Sequence, residues 1–411
     1  MTAAGFEEFA EVVAARSAGG AVEAAPRYDR VTVLGGGPDA RLLAALCLAE
    51  GAAVTLFSAY GEELSALRSG AGVALRGAGP VGTYQIDQDS VPSIRTTAEL
   101  DRAVAGAELI FLTGPIHKQR TYAMVLADHV RDGQVLVLAP GRSMGALEAA
   151  WLLRVGGAKA DITLVETQGL PYWFEASGAT LALSPAATVC AATLPSGRPA
   201  VLAGLARYLP NLNPVLSTVH SGFADGSGLV EVPALLLGGP ALGNGGPEVP
   251  MGGVPLPENR TFRALIGAEH AAVIARLADE RAAVGRAFGV RDLPSATGWM
   301  DIHAGALKGP GSRPVPSGAT ATAILRDATI GSLVPLVSAA RLAGVAVPAT
   351  EGMITLASTI LGADVATAGR KLETVGIDAT DIEDARRIMD VIARGSTATG
   401  DPQRPGSGTD G

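Results

Sequence analysis

The sequence predicts an α/β domain built on a parallel sheet, followed by an all-α domain. Three observations predict it. Short apolar runs alternate with helical stretches through the first half, the pattern of strands joined by crossover helices. One such run, residues 30–34, ends in Gly35-Gly36-Gly37 and is followed at once by an apolar helical stretch at 40–50. From about residue 202 onward apolar residues recur at helical spacing instead, as in 262–288, where Ile266, His270, Ile274, Leu277, Arg281, Val284 and Phe288 share a face.

In chain order, strands are expected at 30–34, 53–57, 73–76 with 82–85, 109–113, 134–138 and 162–166. Helices are expected between them at 40–50, 62–69, 97–104, 118–129 and 143–154. Continuously apolar strands imply a sheet covered on both faces. The second half carries helices at 200–209, 262–288, 325–343, 350–361 and 380–393, broken by Gly- and Pro-rich loops at 238–257 and 309–318. The expected division is a mobile extension at 1–28 with one short helix at 6–15, the α/β domain at 29–198, the helical domain at 199–394 and a disordered tail at 395–411.

The glycine run marks the α/β half as a Rossmann dinucleotide-binding domain. Gly35, Gly37 and Ala40 form G-x-G-x-x-A between a strand and a helix. Gly35 permits the turn, Gly37 admits a pyrophosphate, and Ala40 lets the helix pack closely on the strand. The helix start, through Pro38 and Asp39, turns unpaired N–H groups and a positive dipole end toward an anion. Ligands on such sheets sit beyond the C-terminal strand ends. That gathers Gly35, Gly36, Gly37, Pro38, Asp39, Ala40, Ser58, Thr113, Gly114, Pro115 and Gln168 as candidate cofactor contacts. The cofactor expected is NAD or NADP. An acidic residue closing the second strand would select NAD through the ribose hydroxyls. Here the strand closes on Ser58, with Glu62 and Glu63 following, and the nearest arginine, Arg68, lies one helix away. The balance leans to NAD.

Composition narrows the partners. The 411 residues are 48% apolar and 18% charged, enough for two well-filled cores. A net charge of −8 without a basic run argues against nucleic acid. Cys47 and Cys190 build no disulfide framework, and five unclustered histidines argue against a metal site. No apolar run reaches the roughly 18 residues of a membrane span, and Glu7, Glu8 and Glu11 stand where a secretory signal is basic. The expectation is a cytoplasmic protein acting on a small molecule, with the apolar helical half suited to a homodimer.

Four motifs, in order along the chain, carry a family resemblance. Glu166-Thr167-Gln168-Gly169-Leu170-Pro171-Tyr172 resembles the Glu-Thr-x-x-Leu-Pro-Tyr stretch of the opine dehydrogenase family, which includes octopine and nopaline dehydrogenases. Asp279-Glu280-Arg281 resembles its Asp-Glu-Arg helix, and Arg326-Asp327, Gly331 and Ala343-Gly344-Val345 through Pro348 resemble its Glu-Asp…Gly…Ala-Gly-Val-x-x-Pro segment. Gly362-Ala363-Asp364 with Gly369-Arg370-Lys371-Leu372-Glu373 is similar to its C-terminal signature. The resemblance implies a Rossmann domain plus a helical domain, with a 2-oxo acid and an amine joined and the imine reduced by a nicotinamide hydride in the cleft between them. The chain departs from the family at its catalytic centre. Val232 stands where the family has its catalytic histidine, Gly228 where it has an asparagine, and Glu175 and Thr322 where it has arginines.

Replacement groups follow from the chemistry. Glu231, beside the missing histidine, reads as an acid–base catalyst or as a solvated carboxylate at a helix start. His220, after a strand-like 214–219, reads as a proton relay or a surface loop residue. Arg142 and Lys118 are candidate grips for an acidic substrate, with Tyr172 and Asp327 completing the substrate set and His117, His303 and Lys308 held as lesser candidates. Asp225 is expected to serve a turn, His270 to be a core residue and His129 to cap a helix end. The leading function is imine reduction or amine oxidation. The alternatives are an alcohol or 2-hydroxy acid dehydrogenase on the same scaffold, and a catalytically silent nucleotide-binding protein.

Overall fold

The computed structural model describes residues 25–70, 72–185, 188–237, 266–303 and 318–395. Twelve strands form one sheet: β1 (Arg30–Leu34), β2 (Ala53–Phe57), β3 (Val73–Gly77), β4 (Gly82–Ile86), β5 (Ser93–Thr97), β6 (Leu109–Leu112), β7 (Val135–Leu138), β8 (Thr163–Thr167), β9 (Tyr172–Ser177), β10 (Thr180–Pro185), β11 (Val189–Leu194) and β12 (Leu212–Pro214). Their order is β12-β11-β8-β7-β6-β1-β2-β5-β4-β3-β10-β9. The segment β8-β7-β6-β1-β2-β5 is parallel throughout. Strand order reverses between β1 and β6, so the chain ends of both open side by side, where doubly wound sheets place ligands.

Helices α1 (Pro38–Ala49), α2 (Gly61–Ser69), α3 (Leu100–Val104), α4 (Ile116–Leu126), α5 (Gly145–Val155) and α6 (Pro199–Leu205) accompany the sheet. Leu42, Leu43 and Leu46 of α1 pack with Leu202 and Leu205 of α6 in the core on one face; Leu126, Leu147 and Leu153 serve the other. The second half comprises α7 (Thr218–Ala224), α8 (Ser227–Leu237), α9 (Ala268–Ala287), α10 (Ala296–His303), α11 (Gly318–Ala328), a π-helical turn at Thr329–Leu333, α12 (Val334–Ala343), α13 (Pro348–Leu361), α14 (Val365–Ala368) and α15 (Ile382–Gly395). Leu229, Val232, Ile274, Leu277, Leu325 and Leu333 belong to its own core.

Several expectations need correction. The helix expected at 97–104 is only α3, because the β-branched run at its start pairs as β5 with β2. Strands β9–β12 are additional to the expected set and extend the sheet at both ends. Since β12 pairs with β11 and α6 packs into the sheet core, the α/β half runs to residue 214 rather than 198. Ala385 and Ile392 of α15 then return to the α/β half, joining the core of Leu147 and Leu153. The helix expected at 325–343 begins at Gly318 and is apolar enough to span a bilayer, but 78% of its most apolar window is buried inside the protein. The short helix at 6–15, most of both termini, the loop cores within 238–265 and 304–317, and Lys308 lie outside the described residues.

Candidate active site at the domain seam

Gly35 closes β1 with φ of +131°, a conformation that favours glycine. Its N–H donates to Phe57 O (2.8 Å), and a Cβ there would run into Thr113 Oγ1. Thr113, 1% exposed, donates both its N–H (3.2 Å) and its hydroxyl (2.9 Å) to Leu34 O, so β6 braces the bend. A Cβ on Gly37 would meet nothing within 4 Å. Gly37 is the N-cap of α1 with no side-chain cap, and Pro38 follows inside the first turn. This cradle leaves helix N–H groups facing open space, as a pyrophosphate requires.

One side of the cradle is closed by a carboxylate from outside the expected cofactor contacts. Glu63, on the first turn of α2, accepts from Ser58 Oγ (2.6 Å), from Lys118 Nζ (2.9 Å) and from the Gly36 N–H. Burial works against its charge, but these donors outweigh it and hold the carboxyl below its ordinary range. Lys118 also lies over the Tyr60 ring, 4.4 Å from its centroid. It therefore stands at the glycine bend rather than among the substrate grips.

On the other side, carboxylates from both halves of the chain lie within electrostatic reach of Arg142. Arg142 follows β7 in a left-handed conformation (φ 57°). Burial acts to lower its proton affinity, yet Glu231, Asp225, Asp327 and Asp39 together raise it. Asp39 comes from the first turn of α1, Asp225 from the end of α7, Glu231 from α8 and Asp327 from α11. Burial pushes the Asp39 carboxyl up to about 6 against the pull of Arg142, with Asp327 adding to the rise. Burial also raises Asp327, opposed by Arg142, His117, Arg370 and the Ile116 N–H. Glu231 is 3% exposed and Asp225 0%, whereas Asp39, Arg142 and Asp327 keep part of their surface. These three side chains leave the group partly open to solvent. Among the described residues, no three His, Cys, Asp or Glu side chains converge as metal ligands would.

The loop carrying Arg142 is fixed by backbone carbonyls and one guanidinium. The π-helical turn frees Gly331 O to accept from Ser143 N (3.0 Å) and Ile330 O from Arg370 N (3.2 Å). A Cβ on Gly331 would strike Ile116 Cδ1 and Arg142 Cδ. Arg281, 1% exposed, ties the same turn to α7 through Ser332 Oγ (2.7 Å), Ser332 O (3.2 Å), Gly222 O (3.2 Å) and Phe223 O (3.2 Å); burial lowers its pKa to about 10. Its neighbour Glu280 caps α13 at Ala349 N (3.0 Å) and Thr350 N (3.0 Å). The Asp-Glu-Arg motif is therefore architectural.

Other sequence-stated candidates fall elsewhere. His220 lies inside α7, capped by Ser217 rather than ending a strand, and faces Asp292 (Nε2 to Oδ1 3.7 Å). Tyr172 is 9% exposed and stands against Gly79 in the sheet core. Gln168 accepts from Cys190 N (3.3 Å) at the end of β8. Asp225 does serve a turn, accepting from Ser227 N (3.1 Å) and Oγ (2.6 Å), but its buried Oδ2 has no hydrogen-bond partner and the residue acts on Arg142 as well. His270 is no core residue: it sits at the start of α9 and accepts from Gly267 N (3.2 Å). His129 pairs with Asp101 (2.8 Å). Val232 is fully buried, and a Cβ on Gly228 would overlap Ser332 and Leu333, so the asparagine of related chains has no room here. Glu175 is exposed on β9 and Thr322 bonds Gly318 O (3.1 Å) within α11.

No family model matches the chain. In sequence it is similar to an opine dehydrogenase of Arthrobacter sp. (strain 1C), 23% identical over 359 residues, covering 84% of this chain and 94% of that protein. In fold it is similar to octopine dehydrogenase in a complex with NADH and pyruvate (TM-score 0.62, 18% identity, 89% of this chain and 98% of that one). Yersinopine dehydrogenase with NADP+ bound has the same fold at TM-score 0.55 (15% identity, 89% and 98% covered). So does D-mandelate dehydrogenase with NADH and anilino(oxo)acetate, at TM-score 0.60 (11% identity, 81% and 99% covered).

Proposed function

We propose that this chain, opine dehydrogenase-like in sequence and in fold, is a nicotinamide-dependent oxidoreductase acting on a C–N bond of a small amine or amino acid. The single observation that carries this reading is that the Arg142 loop abuts the helical half at Gly331 (Ser143 N to Gly331 O 3.0 Å), with Asp39 of the glycine-bend helix and Asp225, Glu231 and Asp327 of the helical half within electrostatic reach of Arg142. This supports a substrate site beside the dinucleotide cradle. Gly35 and Gly37 would hold the pyrophosphate against the start of α1, and a nicotinamide bound there supplies hydride to an electrophilic carbon.

The chain's own residues supply the rest. Arg142 presents a planar fork to one carboxylate of the substrate. Glu231 takes the proton-transfer role left vacant by Val232, since it is buried and acts on Arg142. Burial of Asp225 and Glu231 limits the screening of their charges by water.

The test is NADH oxidation, followed by absorbance, with 2-oxo acids and a panel of amines and amino acids, and the reverse reaction with amines and 2-hydroxy acids at alkaline pH. Turnover requiring both an oxo acid and an amine is expected. Turnover of 2-hydroxy acids alone would replace the C–N assignment with the alcohol dehydrogenase reading, and nucleotide binding without turnover of any of these would make the chain a nucleotide-binding protein.

A further inference from the structure

The second strand closes on neutral Ser58, but Ser58 Oγ donates to Glu63 Oε2 at 2.6 Å, so a carboxylate reaches the strand end from five residues downstream. Glu63 also accepts the Gly36 N–H, within the glycine bend itself. A Cβ on Gly36 would overlap the Glu63 side chain, which shows how closely the two are apposed. Two cations stand near this carboxylate. Lys118 Nζ is 2.9 Å from Oε1, and Arg41, on α1, lies within electrostatic reach. Arg41 is committed through Nη1 to Gly178 O (2.5 Å), while its Nε is buried without a hydrogen-bond partner. Glu63 and Lys118 each keep about a quarter of their side-chain surface exposed (27% and 22%), so a ligand can reach both.

We propose that the Glu63–Lys118 pair is the device by which this chain chooses its dinucleotide, with Glu63 accepting hydrogen bonds from the adenosine ribose diol and holding Lys118 away from a 2′-phosphate. The proposal rests on the nicotinamide reading above and deepens it. A diol offers two O–H donors to a carboxylate; a 2′-phosphate brings like charge against it. The selectivity is therefore for NADH over NADPH. Removing the carboxylate reverses both terms, because the diol loses its acceptor while Lys118 becomes free to meet a phosphate.

Fluorescence titration of the intact protein with NADH and NADPH separately tests this, using the parent, Glu63→Gln, Glu63→Ala and the double variant Glu63→Ala/Lys118→Ala. The parent is expected to bind NADH at least about tenfold more tightly than NADPH. Both Glu63 variants are expected to weaken NADH binding by about ten- to a hundredfold, the range of charged hydrogen bonds lost, and to strengthen NADPH binding. The double variant is expected to lose that gain. Equal or tighter NADPH binding by the parent, or an NADH/NADPH ratio unmoved in both Glu63 variants, would overturn the inference and leave nicotinamide binding intact. Binding of neither nucleotide by the parent would overturn the nicotinamide reading itself.

Discussion

Arg370 and Glu148 form a buried ion pair, Nε to Oε2 2.7 Å, on which the Arg142 loop is hung. Arg370 Nη1 donates to Gly141 O (2.7 Å) and Ser143 O (3.0 Å), the carbonyls on either side of Arg142. Glu148 is held in turn by Arg120 (2.7 Å). A residue of the C-terminal segment thus dictates the backbone of a loop more than two hundred residues earlier. Removing one partner of such a pair leaves a buried charge and typically costs about 3–5 kcal/mol. Arg370→Met is expected to cost near the lower end, because Arg120 still neutralises Glu148. The urea midpoint measures it. A shift corresponding to less than about 1 kcal/mol would mean that the pair is not structural.

Arg142 is expected to act on substrate binding rather than on nucleotide binding. Arg142→Lys keeps the charge but loses the bidentate fork. It should raise KM for a carboxylate-bearing substrate by about 10–100-fold, while NADH affinity changes by about twofold or less. An unchanged KM would remove Arg142 from the substrate grip.

Glu231 and His220 make opposite predictions. Glu231→Gln keeps the shape of the side chain and removes its proton transfer, so kcat is expected to fall by about a hundredfold or more. His220→Ala leaves the groups around Arg142 untouched and should cost stability only slightly, through the Asp292 contact (3.7 Å). Steady-state kinetics of the two variants, side by side, decides the assignment; the reverse ranking would transfer the relay to His220.

Glu166 gives a pH dependence of defined sign. It is buried between Ser221 Oγ (2.7 Å) and Ala146 N (3.0 Å), and burial raises its pKa from 4.5 to about 7, against the pull of these donors and of Arg370. The native state then binds more protons than the unfolded state between those values. Its contribution is most favourable below about pH 4.5, declines as pH rises through 7, and is constant above. Glu166→Gln, which can keep an acceptor toward Ala146 N, should be more stable than the parent at pH 8 by up to about 3 kcal/mol. The difference should vanish near pH 4.5. Chemical denaturation at several pH values checks both ends.

What the sequence by itself determined is local. The glycine bend, the strand–helix alternation and the helical second half were legible because a strand's apolar run and a helix's 3.6-residue period are written in consecutive residues. Arg142, Glu231, Asp39 and Asp327 were each legible as candidates from residue type and position. Their placement within electrostatic reach of one guanidinium is decided only by the tertiary structure, since Asp39 and Asp327 lie 288 positions apart in the chain and the π-helical turn docks on the β7–α5 loop through Gly331 O and Ser143 N. Glu63 was hidden for a related reason. The strand end itself carries neutral Ser58, and α2 brings the Glu63 carboxylate to it from its first turn. Packing decides the rest: Tyr172, a substrate candidate, stands against Gly79 in the sheet core, and His220, a relay candidate, faces Asp292. Sequence specifies which groups exist and which faces are apolar; only the closing of long loops against the core determines which charges share a low-dielectric space.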